Sequence, residues 1–128
     1  MNNDHWSTNL YLLNLALLIT HEIDSAFWKE WELFRIPGGI QLFLILNFLL
    51  VLIALIGYRQ LLLDSRKGYL FSLLLALAGV FAFLIHGYFI LTGHPEFRLP
   101  VSMGLLVVIL VVSLTQGVLA LRMLRTGS

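Results

Sequence analysis

Thr20-His21-Glu22-Ile23-Asp24-Ser25-Ala26-Phe27-Trp28-Lys29-Glu30-Trp31-Glu32-Leu33-Phe34-Arg35-Ile36-Pro37-Gly38-Gly39 is the stretch on which the reading of this chain turns. Its first eight residues finish an apolar run that begins at Leu10, and its last three precede a second apolar run that begins at Ile40. The whole stretch holds four acidic residues and two of the three tryptophans. His21, Glu22 and Asp24 therefore fall within, or at the edge of, a segment with membrane-spanning character. An ionisable side chain costs roughly 2.5–3.5 kcal/mol at the centre of such a helix and less near its ends. Three in four residues mark a functional or structural site.

The rest of the chain supports a membrane setting. Its 128 residues are 59% hydrophobic and only 12% charged, with a mean hydropathy of +0.92. That composition is remote from a soluble domain and matches a multi-span membrane protein of one domain, residues 1–128. A net charge of +1, with basic residues scattered at segment ends, gives no nucleic-acid footprint. The absence of cysteine removes disulfides, thiolate zinc sites and iron–sulfur clusters. Met1 to Asn9 lacks the basic start and small-residue cleavage site of a signal peptide, so the run from Leu10 is expected to be retained.

Four apolar runs follow in order, over residues 10–27, 40–58, 69–91 and 101–123. Each is about 18–23 residues, enough to cross ~30 Å of hydrocarbon at ~1.5 Å per residue. None shows period-2 alternation, and lipid offers no partner to an open strand edge, so all four are expected to be helices. Short connections make them antiparallel neighbours: an all-α, up-down-up-down four-helix membrane bundle. Arg59, Arg66, Lys67, Arg122 and Arg125 lie at one end, against Lys29, Arg35 and Arg98 at the other. This bias puts both termini in the cytoplasm, on the inner membrane of a bacterium. Phe34-Arg35-Ile36-Pro37 is echoed by Phe97-Arg98-Leu99-Pro100, each after a glutamate (Glu32, Glu96) and a histidine (His21, His86). A duplicated helical hairpin would give this echo and set His21 opposite His86.

Depth along the helices singles out one layer. Counting inward at ~1.5 Å per residue puts His21 ~9 Å, His86 ~7–8 Å and Asn47 ~10 Å from the same end. Gln116 counts to ~22 Å and belongs to the other half. His21 and Asp24, three residues apart, share a helix face, with Asn14 on one side and Trp28 on the other. On the third helix Ser72, Ala76, Gly79, Phe83 and His86 follow three-to-four spacing, small enough for a neighbouring helix to approach closely. Trp28, Trp31, Tyr69 and Tyr88 are expected as interfacial anchors. Ser113, Thr115 and Gln116 are expected to bond backbone carbonyls or line a helix contact.

Several chemistries suit this layer. His21, Asp24 and His86 are candidate ligands for a divalent metal such as zinc or iron, with Glu22 as a candidate catalytic base. Asn47, Trp28, Glu30, Glu32, His94 and Glu96 would surround them. Two histidines at equal depth would also suit axial ligation of haem b, and a His–Asp pair suits proton or small-solute handling. The bland alternative is an interhelical polar clamp that fixes helix register, in a structural or binding subunit of a membrane complex or a homo-oligomer within the bilayer. The second histidine of a His-Glu-x-x-His zinc protease is absent, because Ser25 stands in its place.

The run Thr20-His21-Glu22-Ile23-Asp24, followed by Glu30-Trp31, is similar to the signature of an uncharacterised family of small bacterial four-span membrane proteins. There it reads Thr-His-Glu-Leu-Asp-Ala and then Glu-Trp. Ile85-His86 and the segment from Glu96-Phe97 to Ser102 resemble that family's third-helix end and fourth-helix start. Pro37-Gly38-Gly39 more loosely resembles the HXXEE-motif membrane family, although Asp24 and Ser25 replace its paired glutamates. These resemblances imply the fold and the choice of residues, and bring no established activity.

Overall fold

The computed structural model describes residues 2–95 and 98–127. Five helices follow in order: α1 (Asn2–Phe27), α2 (Glu30–Leu33), α3 (Gly39–Leu62), α4 (Arg66–Leu91) and α5 (Pro100–Thr126). The four long ones are each long and apolar enough to cross a membrane, and no strand occurs among the described residues. They pack antiparallel as a four-helix bundle. The helices overrun the expected spans mainly at their polar ends, because backbone hydrogen bonding continues past the last apolar residue. Thus α1 already begins at Asn2, and α4 starts at Arg66 behind Ser65, whose hydroxyl accepts from Gly68 N at 3.1 Å. Pro100 opens α5, where its missing N–H costs nothing.

Around the bundle the long helices follow in the order α1, α3, α4, α5, with α4 against α5 the most extensive pair, and α1 also touches α4 across the diagonal. The end that carries both termini is tightly packed. Tyr11, Leu15, Leu61, Tyr69 and Met123 form the buried cluster there, and Tyr69 donates to Asp64 Oδ1 at 2.7 Å. Tyr69 is thus a buried residue instead of the interfacial anchor expected of it, because its ring turns inward to meet that carboxylate. Close approach of α3 and α4 explains Gly68: a Cβ there would lie 2.4 Å from Leu61 Cα.

A polar layer crosses the middle of the bundle. Asn14 Nδ2 donates to Gln116 Oε1 at 2.7 Å and to Ser113 Oγ at 3.1 Å. Gln116 Nε2 in turn donates to the carbonyl and hydroxyl oxygens of Ser72, both at 3.0 Å. All four side chains are buried. This network ties α1, α5 and α4 together, and fixes their register in the way polar groups act between helices in lipid. The expected bond from Gln116 to backbone is present, and Thr115 bonds its own helix at Val111 O. Gly79 sits directly against Ser113, where a Cβ would come within 1.9 Å of Oγ.

Helix α3 stands apart from that packing. Its only buried residues are Gly57 and Leu61, both at the tight end. From Ile40 to Ile56 it buries no residue, and a cavity of about 490 Å³ lies between it, α1 and α4.

Candidate functional site

The cavity is lined by matching runs on three helices: Leu15 to Ala26 on α1, Phe43 to Ala54 on α3 and Leu75 to His86 on α4. Eleven residues of rise on each helix give a length of ~16 Å parallel to the bundle axis. Most of the wall is aliphatic or aromatic. Ile23, Leu44, Leu50 and Phe81 line it while being more than half exposed on the outer helix faces, so the cavity opens sideways. Its polar groups are gathered at the α2 end: His21, Glu22, Glu30, Asn47 and His86.

The two histidines meet. Their ring centroids are 4.3 Å apart and the planes nearly perpendicular, at 88°. Both residues are almost fully buried. His86 Nδ1 lies 2.8 Å from Ala82 O on its own helix. A carbonyl only accepts, so Nδ1 carries a proton there. The other nitrogen, Nε2, is 3.2 Å from Glu30 Oε1. A hydrogen bond across that gap needs one proton, carried either by the imidazole as a cation or by the carboxyl group. The pair is neutral overall in both forms.

Glu30 reaches this position through a reversal of the chain. After α1, Lys29 adopts left-handed backbone angles of φ 53° and ψ 55°, and the single turn α2 folds back across the bundle end. Glu30 is buried while Glu32, two residues on, is exposed. Burial pushes the Glu30 carboxyl up, but His86, Ser25 and the nearby His21 outweigh it and hold the group below the usual carboxylate range. Trp31 closes the other side of α2 against Phe43, with ring centroids 5.2 Å apart.

The remaining candidates divide between the cavity and its surroundings. Glu22 is half-buried, lines the cavity and is hydrogen-bonded by Asn47. Asn47 also donates to Phe43 O at 2.9 Å. Asp24 does not line the cavity, and its Oδ1 accepts from Trp28 Nε1 at 3.1 Å. His94 packs on Phe89, with centroids 5.2 Å apart, in the connection after α4. Glu96, together with the second copy of the Phe-Arg-x-Pro echo at Phe97, lies outside the described residues.

The expected metal set of His21, Asp24 and His86 is therefore only two-thirds assembled. Among the described residues no three His, Asp or Glu side chains gather as a metal-binding group. The two rings are also closer than a macrocycle placed between them would allow. Glu30 takes the place that sequence reading gave to Asp24. Its signal was the left-handed turn, which Lys29 does not advertise as a glycine would.

No curated protein and no solved structure matches the chain at a significant level. A family model does match over residues 7–123, a span that takes in the whole cavity wall and both histidines. On that match the chain belongs to a family of unknown function, DUF6713.

Proposed function

We propose that this protein binds a bilayer-soluble amphiphile in the cavity between α1, α3 and α4, with the polar head at His21, Glu22, Glu30 and His86. The observation that carries this reading is the cavity itself: ~16 Å of apolar wall ending in a cluster of buried acid and imidazole groups. Its sideways mouth suits a molecule that arrives from lipid, and the apolar outer faces of the four helices are consistent with a bilayer around them. The role of register clamp falls to Asn14, Ser72, Ser113 and Gln116. The histidine–glutamate cluster lies apart from that network, at the polar end of the cavity, where buried ionisable groups are costly in lipid. The Lys and Arg bias supports an orientation with both termini in the cytoplasm of a bacterial inner membrane and the polar head region facing outward.

The test is photocrosslinking in lipid nanodiscs with a dodecyl alcohol that carries a diazirine on its chain. Adducts are expected on Val51, Ala54 and Leu75 inside the cavity, and filling the cavity by Ala78→Phe should remove them. Adducts spread over the outer residues Leu74, Leu77 and Leu84, and unchanged by Ala78→Phe, would refute the reading. The meeting of His21 and His86 supports a second reading, zinc or iron bound there after Asp24 leaves Trp28. Elemental analysis of the purified protein, natural and His86→Ala, decides it: metal present in the first and lost in the second.

A further inference from the structure

We infer that the head of the bound amphiphile is a cationic amine, recognised by the Glu22 carboxylate. This rests on the cavity reading above and specifies its ligand class. Three carboxylates stand near the polar end of the cavity, and two are engaged. Glu30 Oε1 is paired with His86 Nε2 across 3.2 Å. Asp24 accepts from the Trp28 indole and does not line the cavity. Glu22 lines the wall and is bonded by the Asn47 amide, a neutral donor.

No lysine or arginine is among the described residues that form the wall. The two cations nearest in sequence, Lys29 and Arg35, are exposed on the connection that flanks α2. The side chain in the wall whose positive charge would act on Glu22, His86, is already matched by Glu30 at 3.2 Å. In a space screened from water by aliphatic walls, a carboxyl group stays protonated unless it gains a partner of opposite charge or strong donors. A primary amine supplies both, with three N–H donors and a positive charge.

The same chemistry ranks the alternatives. A long-chain alcohol offers Glu22 one neutral hydrogen bond. A long-chain carboxylate meets Glu22 as a second negative charge and is disfavoured. The apolar wall treats all three chains alike, so head-group preference isolates Glu22. A charge-assisted hydrogen bond is about twice as strong as a neutral one, and the preference for amine over alcohol is expected to be about tenfold or more.

The experiment measures binding of dodecylamine, dodecanol and dodecanoate to the full chain in phosphatidylcholine nanodiscs at pH 7. Thermal midpoints and calorimetric titration serve as paired readouts, with empty nanodiscs subtracted. Amine over alcohol by about tenfold, with dodecanoate weakest, is the expected order. Glu22→Gln, nearly isosteric, should reduce the amine to the level of the alcohol while leaving alcohol binding within about twofold. Asp24→Asn, at a carboxylate that bonds the Trp28 indole and does not line the cavity, should leave the amine preference intact. Equal binding of amine and alcohol in the natural protein would overturn the inference and leave the cavity reading standing. An amine preference that survives Glu22→Gln would also overturn it. Failure of all three probes to bind, with Ala78→Phe indistinguishable from the natural protein, would instead remove the cavity reading on which it rests.

Discussion

Breaking the His86–Glu30 pair should reveal how far the α2 turn is held to the bundle by that one contact. The side chains are 3% and 9% exposed and their polar atoms are 3.2 Å apart, so solvent screening is small. A hydrogen bond that involves a charged group contributes about 1.5–3 kcal/mol. Interhelical hydrogen bonds in a membrane average nearer ~0.6 kcal/mol and reach ~1.7, because the unfolded chain in lipid also finds partners. Glu30 lies at the bundle end beyond α1, so the expected coupling is about 1–2 kcal/mol. His86→Ala, Glu30→Ala and the double variant, unfolded reversibly in mixed micelles, form a cycle that isolates it. Each single substitution should cost more than the coupling, since His86→Ala also removes the edge-to-face contact with His21. The acid dependence has a fixed sign. The Glu30 carboxyl is held below its usual range, so its stabilisation is complete above that range and disappears as pH falls through the lowered value. The coupling should therefore persist at pH 5.5 and fade only below about pH 4. A coupling under about 0.5 kcal/mol, or one already lost at pH 5.5, would refute this account of the site.

Three further outcomes follow from the packing. Gly79→Ala should destabilise by about 1–3 kcal/mol through its clash with Ser113 Oγ, and adding Ser113→Ala should recover much of the loss in the same unfolding assay. Gln116→Leu leaves the Asn14 amide with only Ser113 and frees Ser72, so about 1–3 kcal/mol should be lost; thermal melts of the variant would check it. Fusion reporters placed after Ser128 and in the connection between α3 and α4 should both report the cytoplasm, given the Arg59, Arg66 and Lys67 cluster. A periplasmic signal from either would turn the His21–His86 end inward.

The helices were legible because each apolar run is long enough to cross lipid and ends in charged or turn residues. The encounter of His21 with His86 was legible too, from equal depths and from the small residues that repeat along α4. Asn14 and Gln116 gave a readable signal of the same kind: they count to ~20 and ~22 Å from one end of the bundle. Glu30 was visible only as a loop glutamate, because its burial depends on a left-handed turn at a lysine, a conformation that composition does not announce. The cavity was not legible at all. It lies along the part of α3 that buries no residue, and the apolar pattern of α3 reads the same whether its inner face meets protein or open space.

The sideways mouth between Ile23, Leu44, Leu50 and Phe81 changes what an affinity for this protein would mean. An occupant that enters from acyl chains is supplied from a two-dimensional reservoir, whose filling depends on its own partition out of water. Each added methylene favours that partition by ~0.8 kcal/mol, roughly fourfold. A chain-length series titrated from solution would thus climb steeply even at a site indifferent to length. Only occupancy plotted against mole fraction in the bilayer would separate the preference of the cavity from that of the membrane.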